Sequence, residues 1–257
     1  MASYALLCFW AVKIEAPPLS KFTALALFDR YYSGFSANKV TPDTKRVIKK
    51  PLNLAIAACI ALAVLQDQKQ QTPPLDSILQ QICDVSPTSD INIEAITSTL
   101  HALQEEIAED CLAAVQSTPT TTTPSASSIQ PPLPLPPTAL AISTLHTQLI
   151  THCSPRVTYP PILLPPDIDL AYRVLEFLCL TDNGAQCHDV LHKGGTLTAA
   201  ACITASSCVF PTFPPQPPPS PPLLEILSSL SEFPVAVIAH HCHSIIHRLY
   251  SPYSSSS

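Results

Sequence analysis

Glycine is nearly missing from this chain, with four in 257 residues. Loops that cradle phosphate use glycine to bring backbone N–H groups close to an anion, so nucleotide-binding frames are all but excluded. There is no Gly-x-Ser-x-Gly elbow and no pair of carboxylates in a glycine-containing frame. No catalytic residue and no cofactor is therefore expected. Charge is also sparse, at 12% of residues, with a formal net charge of -6. That acidic balance argues against general nucleic-acid binding. Sustained β-branched alternation is lacking, so no strand competes with an all-α reading. The longest apolar run, residues 54–65, is too short to span a bilayer. Residues 1–10 are apolar but lack a basic n-region, and Lys13 and Glu15 follow at once, so a secretory signal is not the preferred reading.

Cysteine and proline are plentiful, at 10 and 29 residues. No Cys-x-x-Cys pair occurs, and Cys59, Cys179 and Cys202 sit inside apolar runs. They read as reduced, buried thiols acting as small hydrophobes. The prolines cluster at 131–137, 155–166 and 211–222. Proline breaks helix interiors, so the clusters read as connectors and the segments between them as helices.

Two Ala-rich, almost uncharged runs then stand in matching places. One is Leu52-Asn53-Leu54-Ala55-Ile56-Ala57-Ala58-Cys59-Ile60-Ala61-Leu62-Ala63-Val64-Leu65, and the other spans 194–207 around Ala199-Ala200-Ala201-Cys202. A helix without a polar face is stable in water only when other helices surround it. Helices are expected at 4–15, 19–33, 52–66, 75–83 and 91–115, the last capped by Asp90. A Ser/Thr/Pro-rich linker follows at 117–137. A second set is expected at 138–152, 167–180, 196–209, 223–231 and 235–250. The expected domains are 1–116 and 138–253, each of five helices with the third one buried.

Other clusters invite chemistry. His240-His241-Cys242-His243 with His247 is the best metal candidate, since His243 and His247 share a helical face. No second ligand group stands at a suitable spacing, and no metal is expected. The basic run 44–50 reads equally as a nuclear-localisation patch or a solvated loop. The proline runs 131–137 and 214–219 read as stiff connectors before SH3 or WW ligands. Thr41-Pro42, Thr72-Pro73, Thr118-Pro119, Thr123-Pro124 and Ser220-Pro221 have the form that proline-directed kinases modify.

The helix order carries a resemblance. Leu25-Ala26-Leu27-Phe28-Asp29-Arg30-Tyr31-Tyr32-Ser33 is similar to the second-helix signature of cyclins, "LxxLDRFLS". Leu52 to Leu65, with Leu54 inside it, resembles their third helix, Pro74-Leu75 their fourth-helix start, and Trp10 stands where the first helix carries tryptophan. Phe177-Leu178-Cys179-Leu180-Thr181-Asp182 and Gly195 to Ala205 resemble the second half of D-type cyclins and their viral relatives. The resemblance implies two tandem five-helix cyclin boxes. It also implies a regulatory subunit that activates a cyclin-dependent Ser/Thr kinase at the G1/S step, as a heterodimer, in nucleus and cytoplasm. Retinoblastoma-like proteins are the implied substrates.

Departures from the family are as informative. Ser3 and Tyr4 stand where cyclins have the Met and Arg of a docking patch. That Arg pairs with the second-helix Asp, so Asp29 needs another donor here. Leu65 stands where the family has a kinase-holding Lys, and His101 near where it has a Glu. The long N-terminal extension and the "LxCxE" motif are missing. The implied kinase-binding residues are Leu65, Gln66, Asp67, Lys69, His101, Glu105 and Glu106. Two rival readings stay open: a cyclin-fold scaffold that does not activate a kinase, and a metal-binding or secreted helical protein.

Overall fold

The structure, a computed structural model, describes residues 2–32, 51–67, 74–86, 91–116, 136–152, 167–181, 187, 189–209 and 221–250. Among them there is no strand, and the fold is all-α. Ten α-helices follow in order: α1 (Ala2–Lys13), α2 (Pro18–Tyr31), α3 (Leu52–Asp67), α4 (Leu75–Val85), α5 (Ile93–Gln116), α6 (Pro137–His152), α7 (Ile168–Leu180), α8 (Gly195–Val209), α9 (Pro221–Ser231) and α10 (Val235–Tyr250). A π-helical turn, Asp189–Lys193, precedes α8. The chain divides into two compact units, Ala2–Leu135 and Pro136–Ser257.

In the first unit α3 packs against α1, α2, α4 and α5. Its composition explains this. Every residue from Leu54 to Val64 is buried, five of them alanine. Methyl-sized side chains let neighbouring helices approach closely, and the larger groups fill the space between them. Trp10, Phe22, Leu25, Ile78, Leu79, Ile82, Ile96 and Leu103 are all fully buried around α3. Buried Thr23 and Thr99 create no orphan hydroxyls, because each donates to a carbonyl one turn back, Leu19 O at 3.0 Å and Ala95 O at 2.8 Å.

The second unit repeats the arrangement, with α8 packed on α6, α7, α9 and α10. Ala199, Ala200, Ala201, Cys202, Ile203 and Ala205 are fully buried. The buried Thr138 hydroxyl at the start of α6 ties the entry to α8. It donates to Val190 O at 2.6 Å and accepts from the Gly195 N–H at 2.9 Å. Arg248 in the last turn of α10 donates to Thr181 Oγ1 at 2.9 Å, joining α10 to the end of α7.

Helix ends differ from the sequence expectation for local reasons. The first helix runs 2–13 rather than 4–15, because Glu15 takes a left-handed backbone (φ 54°) ahead of Pro17. Asp90, the expected cap of α5, lies outside the described residues. The helix starts at Ile93, and Asn92 Oδ1 accepts the Ala95 N–H at 2.8 Å. Asp167 caps α7, accepting from Asp169 N at 2.9 Å. At the end of α9, Glu232 is left-handed (φ 62°) and Ser228 donates to Phe233 O at 2.7 Å. No single described helix is long and apolar enough to cross a membrane.

Glycine matters where the π-helical turn meets α8. A Cβ on Gly194 would lie 2.6 Å from Thr198 Oγ1 and 2.7 Å from Val190 O. Val190 O is backbone and is held by Thr138, so it has no room to retreat. Gly194→Ala should therefore lower unfolding stability by about 1–3 kcal/mol. A urea titration should show a lower midpoint with an unchanged slope.

Candidate functional site

The second-helix signature builds one corner of the first unit. Leu25 lies in the unbroken buried stretch Phe22–Asp29 of α2, and Leu54 is buried in the first turn of α3. Asp29 is fully enclosed, at 0% exposure. Tyr4 of α1 donates its phenol to Asp29 Oδ1 at 2.9 Å. The same Tyr4 ring meets Phe28 edge-on, with centroids 5.5 Å apart, and Phe28 stacks on Tyr32 at 5.9 Å. The new donor expected for Asp29 is present, and it is Tyr4 of the first helix. Trp10 is buried at 1% exposure beside this corner's helices.

Arg30, next in the chain, is exposed. Its Nη2 reaches Asp110 Oδ2 of α5 at 2.8 Å, and Tyr31 donates to the same oxygen at 3.1 Å. A pair this exposed adds little stability on its own. Its effect is positional, since it fastens the end of α2 to the second half of α5. Asp110 was missed in the sequence reading, because its partners lie 79 and 80 residues away.

The implied kinase-binding residues fall into separate places. Leu65 and Gln66 are half-buried at the end of α3, and Asp67 is its last residue. Glu106 is half-buried on α5. Burial pushes the Tyr32 phenol well above its ordinary pKa, and the nearby Cys59 thiol and Glu106 carboxylate add to the shift. So Glu106 belongs to the corner where α2, α3 and α5 meet. His101 and Glu105 are one turn apart and exposed. Leu103, between them in sequence, is fully buried, so the two lie on the opposite, solvent side of α5. Lys69 lies outside the described residues, as do the basic run 44–50, the proline run 214–219 and all the Thr-Pro pairs.

The histidine cluster does not converge. His240, His243 and His247 are exposed, whereas Cys242 is buried. Among the described residues, no group of three or more His, Cys, Asp or Glu is gathered to hold a metal. His241 turns toward α8, its Nε2 3.3 Å from Thr198 Oγ1. Burial holds its pKa below the usual imidazole value, and the neighbouring His240 and Arg248 charges act in the same direction. The eight cysteines whose side chains are described all carry free thiols, six of them buried.

Comparison with family models, with curated proteins and with solved structures finds no match to this chain.

Two outcomes follow from this geometry. Tyr4→Phe removes the phenol donor from a fully buried carboxylate and should cost about 1–3 kcal/mol of stability. Asp29→Asn made on that background should cost less than it does alone, which a double-mutant cycle of urea midpoints measures. The second concerns acid. A depressed folded pKa for His241 means that the unfolded chain takes up the proton first. The stability it contributes is complete above the unfolded value near 6.5 and is lost as pH falls through the lower folded value. The wild type should therefore lose more stability between pH 7 and pH 5 than His241→Gln, in parallel denaturation curves.

Proposed function

We propose that this chain is a cyclin-like regulatory subunit, built of two tandem cyclin boxes, which binds and activates a cyclin-dependent Ser/Thr kinase of the G1/S type. The observation that carries the reading is the repeated plan, in which an Ala-rich third helix is ringed by the other four in each unit. Support comes also from the second-helix signature, whose Leu25 and Asp29 are buried and whose Asp29 is held from the first helix by Tyr4.

Such a subunit does no bond chemistry. It binds the active kinase conformation more tightly than the inactive one, and so completes the kinase's Lys–Glu and Mg²⁺ arrangement. Turning an equilibrium from 1:99 to 99:1 takes a difference of about 5.5 kcal/mol. With Leu65 in place of a lysine, that difference has to come from apolar packing at the end of α3, together with Gln66, Asp67, Lys69 and the α5 residues His101, Glu105 and Glu106. Retinoblastoma-like proteins are the proposed substrates of the complex, which would work in nucleus and cytoplasm.

Leu65 also favours the second reading, a cyclin-fold scaffold that occupies a kinase or another partner without activating it. Co-expression with a panel of cyclin-dependent kinases, pull-down, and a kinase assay on a retinoblastoma fragment separate the two. Capture with phosphorylation supports the activator, and capture without phosphorylation supports the scaffold. Capture of no kinase overturns both as kinase partners. In the activating complex, Leu65→Asp and Glu105→Lys should each weaken capture at least tenfold, about 1.4 kcal/mol. Arg173→Ala, on an exposed position of α7 in the other unit, should leave capture unchanged.

A further inference from the structure

Three histidines of α10 face solvent, His240, His243 and His247. Among the described residues, no three ligands gather around one point. A chelate, however, needs only two. Residues four apart on a helix lie one turn apart on the same face, with Cβ atoms about 5–6 Å from each other. Two imidazoles so placed can reach one ion at the usual metal–nitrogen distance of about 2.0–2.1 Å. His243 and His247 have that spacing. His240 stands two turns from His247, about 10 Å along the axis, too far to share the ion of that pair.

Both imidazoles are open to an ion. Each is exposed, and among the described residues neither is held by a hydrogen bond or an ion pair. Their neighbours in sequence are committed elsewhere. His241 turns to Thr198 of α8, and Cys242 is buried. Arg248 carries the charge that would repel an ion, and its guanidinium is drawn to Thr181 at the end of α7, at 2.9 Å. The helices packed on α10 add no other cation, since α8 has no charged residue and α9 has only Glu225. His247 also stands in the last turn of α10. Unpaired carbonyls give that end of a helix a partial negative charge, which favours a cation.

We propose that His243 and His247 form a two-histidine chelate on α10 for one divalent transition metal ion of the zinc, nickel and copper group. Imidazole suits these ions, whereas magnesium and calcium prefer oxygen ligands. Two ring nitrogens hold the ion and water fills its remaining positions. The site exists only while residues 243–247 are helical, because only the helix brings the two rings to one side. The ion therefore binds the folded chain more tightly than the unfolded one and stabilises the end of α10 by mass action.

Zinc ion alone is the probe, because it has no redox chemistry and leaves the thiols reduced. The folded full chain is titrated with zinc chloride and pulse-labelled with diethyl pyrocarbonate, and peptide masses give the protection of each histidine. Zinc held by thiols does not enter that readout. His243 and His247 should be protected together, with one midpoint. His243→Gln and His247→Gln should each weaken protection of the remaining imidazole at least about tenfold, since the second ligand no longer acts at high effective concentration. His152→Gln, on an exposed position of α6, should leave the midpoint unchanged. These three positions are exposed, so the variants leave the packed core untouched. Ser244→His on the His247→Gln background should restore tight protection at His240 and at the new imidazole, because exposed positions 240 and 244 are again four apart. An absence of protection at His243 and His247 in saturating zinc overturns the proposal, as does an unchanged midpoint at one when the other is replaced. So does equal protection of both in the urea-unfolded chain, since the pairing would then owe nothing to the helix.

Discussion

The rest of the structure depends on one constraint: a helix with no polar face cannot stand at a surface. In α3 the buried stretch is unbroken from Leu54 to Val64, and in α8 it runs from Thr198 to Ser206. Neither helix offers a stripe of charge to turn toward water, so each has to be closed off on all sides. Four neighbours do this in each unit. Alanine contributes little burial energy per residue, but it lets axes approach closely enough for Phe22, Ile78 or Ile96 to pack across the gap. The bulky groups sit on the surrounding helices because the centre has no room for them. Exchanging an alanine of α3 for a larger side chain would therefore push apart several interfaces at once.

The polar groups inside each unit follow from that enclosure. Buried Thr23, Thr99 and Thr204, on α2, α5 and α8, each find a carbonyl one turn back in their own helix. Asp29 has no such local solution, because a carboxylate has no proton to give to a backbone carbonyl. It needs a donor from elsewhere, and Tyr4 supplies one across 25 residues of chain. The second unit buries a hydroxyl at its entry instead, with Thr138 holding the π-helical turn against the start of α8. The first device ties α1 to α2, and the second ties the start of α6 to the entry of α8, by different chemistry. A phenol is longer than the hydroxyethyl group of threonine and reaches a neighbouring helix, whereas Thr138 works because the backbone of Val190 and Gly195 comes to it.

The helical layout was legible in the sequence because proline and apolar periodicity act locally. The ten helices lie within a few residues of where the 3.6-residue pattern and the proline clusters put them. The misses were of two kinds. Caps and ends turned on backbone conformation, as with Glu15 and with Asn92 capping α5, and residue type only weakly encodes that. The site was less legible, because its contacts are long-range. That Asp29 needs a donor was expected from the resemblance to cyclins, in which Tyr4 falls where those proteins carry an arginine. That Tyr4 itself was the donor, and that Asp110 receives both Arg30 and Tyr31, depend on which helix faces lie together. No spacing rule in one chain supplies that information. The π-helical turn before α8 left no sequence signal beyond the paired glycines after it.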